Sequence, residues 1–410
     1  MRICSRISAV VYLLAAIIAA PTAYGNVQAT ESKIAFWNMP RAGTNQFNQV
    51  PEQEWFEAAA AENIEWVRIT FSKWNSKQKD FLAGDLDNYQ QLVKKDLATL
   101  KKAIGWAEEQ GLKVVIAPLG LPGSRWTQNN QGKKDQRLWN DKKWWQASAR
   151  YWQDLARALK DSKAVVAYNI INEPKPEFGT GLAEHGDPAR YKGWYEKYQG
   201  TSHDLPEFYN TVISAIRAVD AETPVMVDAG WYGQAQAFVY WPKLKDAKVL
   251  YSFHMYEPFN FTSRQNYLRK RKGKELYSYP GLIPYAGKVE QWDKKRLTEW
   301  FTPFNEWAEK NSIPANRIVA AEFGAYRRVP GGGRYMEDLL ELFDQKQYHW
   351  AFYSFREDEW DGYDYEIGNR ALGWKYWEAK EKGEDPEPPR DESNPLWQVL
   401  DQALETRTRT

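Results

Sequence analysis

The sequence predicts an α/β protein folded as a single (β/α)8 barrel, a TIM barrel with long βα loops. Three observations predict it. Eight short runs rich in β-forming residues alternate with longer stretches of helical period. The strongest chemical motif stands at the end of one such run, where a barrel carries its site. No repeat, low-complexity linker or shift of composition divides residues 26–410 into parts. The runs are Ile34–Trp37, Trp66–Thr70, Lys113–Ala117, Val165–Ile171, Pro224–Val227, Val249–Phe253, Arg317–Ala321 and Trp350–Phe355.

Between the runs, apolar residues recur at helical spacing. Val93, Leu97, Leu100, Ile104 and Ala107 form one stripe, ended by Gly111. Trp145, Trp152, Leu155 and Leu159 form a second, and Phe208, Val212, Ile216 and Val219 a third. The long interruptions 120–140, 175–202, 257–293 and 356–390 all follow predicted strands, on the face where loops build a substrate site. Arg269, Lys270, Arg271, Lys272 and Lys274 read as a solvated face of one of these loops, and Gly331-Gly332-Gly333 as a loop before a helix. A charged, Pro-rich connection at 383–391 precedes a last helix around 396–404.

The 410 residues carry 55 Lys+Arg against 54 Asp+Glu, so no strong field favours nucleic acid or an anionic membrane. With 43% apolar and 27% charged residues the chain is built to fold around a core. The excess lies in 21 Trp, 24 Tyr and 17 Phe, which serve equally as a rigid core or as platforms for flat ligands. Arg2 and Arg6 precede an uncharged run, Ile7 to Ala20, and Ala23 and Gly25 are small residues at the −3 and −1 positions of a cleavage site. Residues 1–25 therefore read as a secretory signal peptide, with residues 26–410 as the exported domain, secreted or periplasmic; an uncleaved anchor is the other reading. Cleavage removes two Arg and Cys4, leaving 53 basic against 54 acidic residues and no thiol.

The run Val165–Ile171 ends in Asn172-Glu173-Pro174. Proline cannot donate to a ladder, so it stops the strand and leaves Asn172 and Glu173 at the tip. A second carboxylate, Glu322, follows the run ending at Ala321 and precedes Phe323-Gly324. Counting strands, Glu173 ends the fourth and Glu322 the seventh, so both can reach one cleft. Two carboxylates flanking a bond are what glycoside hydrolysis requires, one as acid and one as nucleophile or base. No metal-ligand spacing and no phosphate-cradling glycine loop after a strand is present, so neither metal nor cofactor is expected.

Trp66-Val67-Arg68-Ile69, Asn172-Glu173-Pro174, His254-Met255-Tyr256 and Ala321-Glu322-Phe323-Gly324 occur in this order at predicted strand ends. In this the sequence resembles glycoside hydrolase family 5, the cellulase-type retaining (β/α)8 glycosidases, from about Ile34 to Leu404. The resemblance implies Glu173 as acid/base, Glu322 as nucleophile and Asn172 as partner of the sugar 2-hydroxyl. It further implies that Arg68 holds Glu322 ionised and that His254 and Tyr256 orient the glutamates and the sugar. Two positions depart from the pattern. Leu119 stands where a histidine is common, and Tyr353 where a tryptophan platform is usual, with Trp360 or Trp374 as alternative platforms.

Each of these residues also has a plainer reading: Arg68 as an interior ion pair, His254 as a core histidine, and His185, His203 and His349 as structural or surface groups. Trp126, Trp139, Trp144, Trp194 and Trp231 are equally sugar platforms or packing. The expected function is a retaining endo-β-1,4-glucanase acting as a monomer on a polysaccharide or oligosaccharide, with no nucleic-acid or membrane partner once exported. The alternatives are a β-mannanase or other β-glycanase, a transglycosylase, or a catalytically silent carbohydrate-binding barrel.

Overall fold

The structure, a computed structural model, describes residues 32–184, 188–357, 361–384 and 386–408. The predicted signal peptide, His185 and Trp360 lie outside the described residues. Eight parallel strands close into a barrel: β1 (Ala42–Gln46), β2 (Trp66–Ile69), β3 (Lys113–Ile116), β4 (Val165–Asn169), β5 (Val225–Asp228), β6 (Val249–Met255), β9 (Ile318–Phe323) and β10 (His349–Phe352). The stripes read from the sequence lie on the helices Lys94–Glu109, Lys143–Leu159 and Leu205–Arg217, except that Val93 is the N-cap of the first and Val219 lies just past the third. Gly111 follows the first at φ +76°, a conformation that favours glycine. Among the described residues no helix is long and apolar enough to cross a membrane.

Seven of the eight predicted strands are found, with ends shifted by a few residues; the first is not. Ile34–Trp37 belongs to a 3-10 helix, Lys33–Asn38, which carries the fully buried Trp37. The Trp37 indole donates to Val166 O (3.1 Å) and meets Trp66 and His349 edge-on. The true first strand, Ala-Gly-Thr-Asn-Gln, has no apolar run to announce it. Its Gly43 lies so close to Trp66 that a Cβ there would come within 2.5 Å of the indole. A large residue on β2 thus demands an absent one on β1.

Alternation then sorts the barrel interior into two layers. Trp66, Ala167, Met226 and Leu250 join Val115, Val166, Val319, Ala321 and Ala351 in an apolar cluster under Trp37. Two residues further along the same strands stand Arg68, Asn169, Asp228 and Ser252, all fully buried.

The loop after β6 holds an element that the sequence reading missed, an antiparallel hairpin of β7 (Gly281–Tyr285) and β8 (Lys288–Trp292). Its two-residue turn is Ala286-Gly287, both at positive φ. Such turns are usually announced by Asn-Gly or Asp-Gly, and here the first residue gives no signal. The basic segment around Lys270–Lys272 is exposed, as expected. Gly332 and Gly333 open the helix Gly332–Gln345 rather than lying in a loop, and Gly331 is its N-cap.

Candidate active site

Arg68 organises the upper layer. Its guanidinium, fully buried, donates from Nη1 to Glu322 Oε1 (2.7 Å) and Asn45 Oδ1 (3.2 Å). Nε and Nη2 reach Asn169 Oδ1 at 2.9 and 2.6 Å, Nη2 also reaches Asn172 Oδ1 (2.7 Å), and Asp228 Oδ2 lies 3.5 Å away. A planar fork of fixed donors can hold this many acceptors at once, which a lysine cannot. Removing any partner would leave a charge unsatisfied in the interior.

Glu322 reaches this layer through an irregularity. In the β6–β9 ladder Phe253 pairs with Ala320 but His254 pairs with Glu322, so Ala321 is the extra residue of a bulge. Ala321 faces the apolar cluster, and the bulge lets the next side chain also turn inward, the common use of a bulge beside a site. Its second oxygen, Oε2, accepts from Tyr256 Oη (3.1 Å). Burial first, and the charge of Glu322 second, push the Tyr256 phenol well above its usual value, so it remains a donor.

Glu173 stands at φ +48°, a left-handed conformation uncommon for this residue type, directly before Pro174. Its backbone N–H donates to Asp228 Oδ2 (3.2 Å), which fixes the turn. The side chain keeps 17% exposure against 6% for Glu322, so it borders the open cleft. Burial and the nearby Glu322 charge raise its carboxyl above the ordinary glutamate value, against an opposing hydrogen bond from His254. One oxygen of Glu173, one of Glu322 and a ring nitrogen of His254 all lie within 4.8 Å of one another.

His254 links the acids. Nδ1 is 3.0 Å from Glu173 Oε1 and 3.6 Å from Glu322 Oε2, while Nε2 lies 3.4 Å from Asp228 Oδ2, a charge contact rather than a well-formed hydrogen bond. Burial alone would pull the imidazole down, but the carboxylates of Glu322 and Asp228 outweigh it and push the ring up to about 10. Asp228 responds in turn. Burial would raise it, yet His254 and Arg68 hold it below the usual carboxylate range. The Glu173, His254 and Glu322 spacing would also suit a metal ion, and the same three groups form a hydrogen-bonded and charge-paired cluster among themselves.

Six of the residues singled out from the sequence therefore meet: Arg68, Asn172, Glu173, His254, Tyr256 and Glu322. Tyr353 borders this group, near enough to Tyr256 for its phenol to help raise that of Tyr256. Its hydroxyl donates to Glu357 Oε2 (2.7 Å), and its ring meets Phe47 and Tyr363 edge-on, with Tyr363 between it and Tyr256. Leu119 is buried and lines the recess beside Glu173, an apolar wall where a polar contact is common. Trp139, Trp194 and Trp231 are packed in the core, whereas Trp126 is half-buried at the recess. Trp374 is 70% exposed on the helix Trp374–Glu381.

The sequence reading missed Asn45, Asn169 and Asp228. The last two had a signal: each lies at the C-terminal end of a barrel strand, two residues beyond an inward-facing apolar side chain.

The sequence profile described as Cellulase (glycosyl hydrolase family 5) matches residues 27–359, most of the chain. The chain belongs to glycosyl hydrolase family 5. Among curated members, the "Probable glucan 1,3-beta-glucosidase A" of Neosartorya fischeri is 26% identical over 386 residues, covering 88% of this chain and 79% of the relative. The protein of the same name from Aspergillus fumigatus is 27% identical over 254 residues, 58% of this chain and 52% of the relative, so the chain spans about half the length of that family 5 protein. The crystal structure of an endoglucanase from Thermotoga maritima superimposes with a TM-score of 0.58 at 18% identity, covering 90% of this chain and 98% of that one. That likeness shows the same barrel fold.

Proposed function

We propose that this family 5 protein is a retaining β-glycoside hydrolase that cleaves β-glucans by double displacement. One observation carries the reading: a half-buried carboxylate and a buried one bring an oxygen each within 4.8 Å in different surroundings. Retaining enzymes hold their carboxyl groups about 5 to 5.5 Å apart, whereas inverting ones leave about 6.5 to 9.5 Å for a water. Glu173, raised by burial and by its neighbour, is the acid that protonates the leaving oxygen. Glu322, held by Arg68 and Tyr256, attacks the anomeric carbon from the opposite face. The negative charge that leaves Glu322 when the glycosyl bond forms no longer opposes ionisation of Glu173, which then serves as base toward water.

The cation at His254 balances the acids through both steps, and Asn172, fixed by Arg68, is available to the sugar 2-hydroxyl. The relatives named as glucan 1,3-beta-glucosidases support a β-glucan substrate and bring β-1,3 linkages beside the β-1,4 expectation. Export from the cell by the predicted signal peptide accords with a polymeric substrate.

The test is product release from cellulose, carboxymethylcellulose, laminarin, mixed β-glucan, mannan and xyloglucan, with Glu322→Ala in parallel. Glucose or gluco-oligosaccharides lost in the variant are expected. Products from mannan alone would reject the glucan assignment, and turnover that survives Glu322→Ala would reject the mechanism.

A further inference from the structure

This inference rests on the glycosidase reading and concerns the side of Glu173 that faces the departing sugar. An acid that protonates the glycosidic oxygen stands beside the leaving group, so side chains next to Glu173 and away from Glu322 border that sugar. Lys175 is two residues beyond Glu173 and lines one recess with Leu119, Trp126, Asn172 and Glu173. Its ammonium sits 4.8 Å from the centroid of Tyr232 and 5.5 Å from that of Trp126. Half-buried there, it makes no hydrogen bond or ion pair among the described residues, and burial lowers its pKa from the ordinary lysine value. Ring faces replace only part of the hydration that an ammonium loses.

The surroundings are built to keep this arrangement. Trp231 and Tyr232 both adopt left-handed backbone conformations, at φ +45° and +61°, which bulky residues rarely accept. Tyr232 N–H donates to Pro174 O (3.2 Å), and Trp231 N–H to Glu177 Oε2 (3.0 Å). Glu177, buried and pushed up to about 7 by that burial, is held in turn by the Tyr191 hydroxyl. Gly230 has no Cβ because one would collide with the Glu177 carboxylate. Two consecutive strained residues persist only where the structure over-determines them, and such places are often ligand clamps. Lys134, in the neighbouring loop after β3 and stacked on Phe178 at 3.5 Å, adds a second positive charge, and the carboxylates of Glu173 and Glu184 partly offset the pair.

We propose that Lys175 is a specificity-determining residue that selects a carboxylate-bearing sugar, a uronic acid, at the leaving-group position. A carboxylate there supplies the acceptor that the ammonium lacks, and a charge-assisted hydrogen bond is strong enough to set preference by about ten- to a hundredfold.

The experiment compares cellobiose and laminaribiose with their analogues whose reducing-end unit is glucuronate. Two ratios of glucuronate to neutral substrate are read: kcat/KM with the unaltered protein, and affinity with Glu322→Ala. The expected result is a preference for glucuronate that weakens at high salt, falls tenfold or more in Lys175→Met and returns in Lys175→Arg. Hydrolysis with no such preference, or a preference that Lys175→Met leaves intact, overturns the assignment while leaving the glycosidase reading standing. A binding preference lost in Lys175→Met but accompanied by no hydrolysis of these disaccharides upholds Lys175, and the glycosidase reading is rejected only if the polysaccharides are also left uncleaved.

Discussion

The two ends of the barrel interior enclose one buried histidine each, and the two rings are driven in opposite directions. At the lower end His349 accepts a hydrogen bond from the Arg41 backbone N–H (3.1 Å) and meets the edge of Trp37. Burial first, against an opposing contact with the Asn316 backbone and with help from the positive charges of Arg407, Arg317 and Arg41, pushes it down to about 3, so it stays neutral. At the upper end His254 is as deeply buried, yet carboxylates surround it and push it up to about 10. Burial alone therefore does not set the charge of an interior group; its neighbours do. The lower layer spends its strand positions on Trp and aliphatic residues and seals the barrel. The upper layer takes charges inward in matched pairs, which is costly to build and useful only where chemistry is done.

Substitutions at the two ends should part company in kind, and the largest effect belongs to the upper end. Glu322→Ala should lower turnover by about 10⁴-fold or more while the protein remains folded, as read by circular dichroism beside a kinetic assay. Retained activity at a tenth of the original level would move the nucleophile elsewhere. Arg68→Met should both destabilise the fold, by about 3–5 kcal/mol, and depress activity, because Glu322 and Asp228 lose their shared counter-charge. Trp37→Ala should cost a similar 3–5 kcal/mol through the cavity it opens, with the pH profile of kcat unchanged. Denaturant titration together with pH–rate curves separates these two variants. A shifted profile in Trp37→Ala would show that the two layers are coupled.

The smallest effect concerns pH and stability. His349 has a folded value depressed below its ordinary 6.5, so the unfolded chain binds the extra proton between about 6.5 and 3. Its contribution is present above pH 6.5 and is lost as pH falls toward 3. His254 has the opposite sign: its contribution is complete below 6.5 and is lost as pH rises toward 10. Urea denaturation of His349→Gln and the unaltered protein at pH 7 and pH 4 should therefore differ by less at the lower pH, with a narrowing on the order of a kcal/mol or more. An equal gap at both pH values would mean that His349 titrates normally. In the rate profile, Glu173 must be protonated for the first step, so kcat/KM should fall as pH rises through its raised pKa, and Glu173→Gln should remove that limb.

The same contrast explains what could be read in the sequence. The aliphatic strands β2, β3, β4, β6 and β9 announced themselves because a buried parallel strand is a continuous apolar run. β1 did not, because its place beside Trp66 requires Gly43 and its upper residues serve Arg68 through Asn45. Its composition answers to neighbours on other strands rather than to its own period. Ile34–Trp37 misled for the complementary reason: a plug under a barrel is as apolar as a strand. Glu173, Glu322 and Arg68 were legible from strand ends and motif order. Asp228 and Asn169 offered only their places at strand ends, since their roles depend on which side chains they face across the barrel. The clamp of Glu177 on Trp231 joins residues 54 apart, and no local pattern reveals it.

The most direct test of the central claim, attack by Glu322 with Glu173 as acid and base, is the anomeric configuration of the first product. Proton NMR of the early hydrolysis of a β-gluco-oligosaccharide, followed before mutarotation, should show the β-anomer appearing first. An α-anomer at the outset would mean single displacement by water, and would contradict a mechanism built on carboxylates this close together.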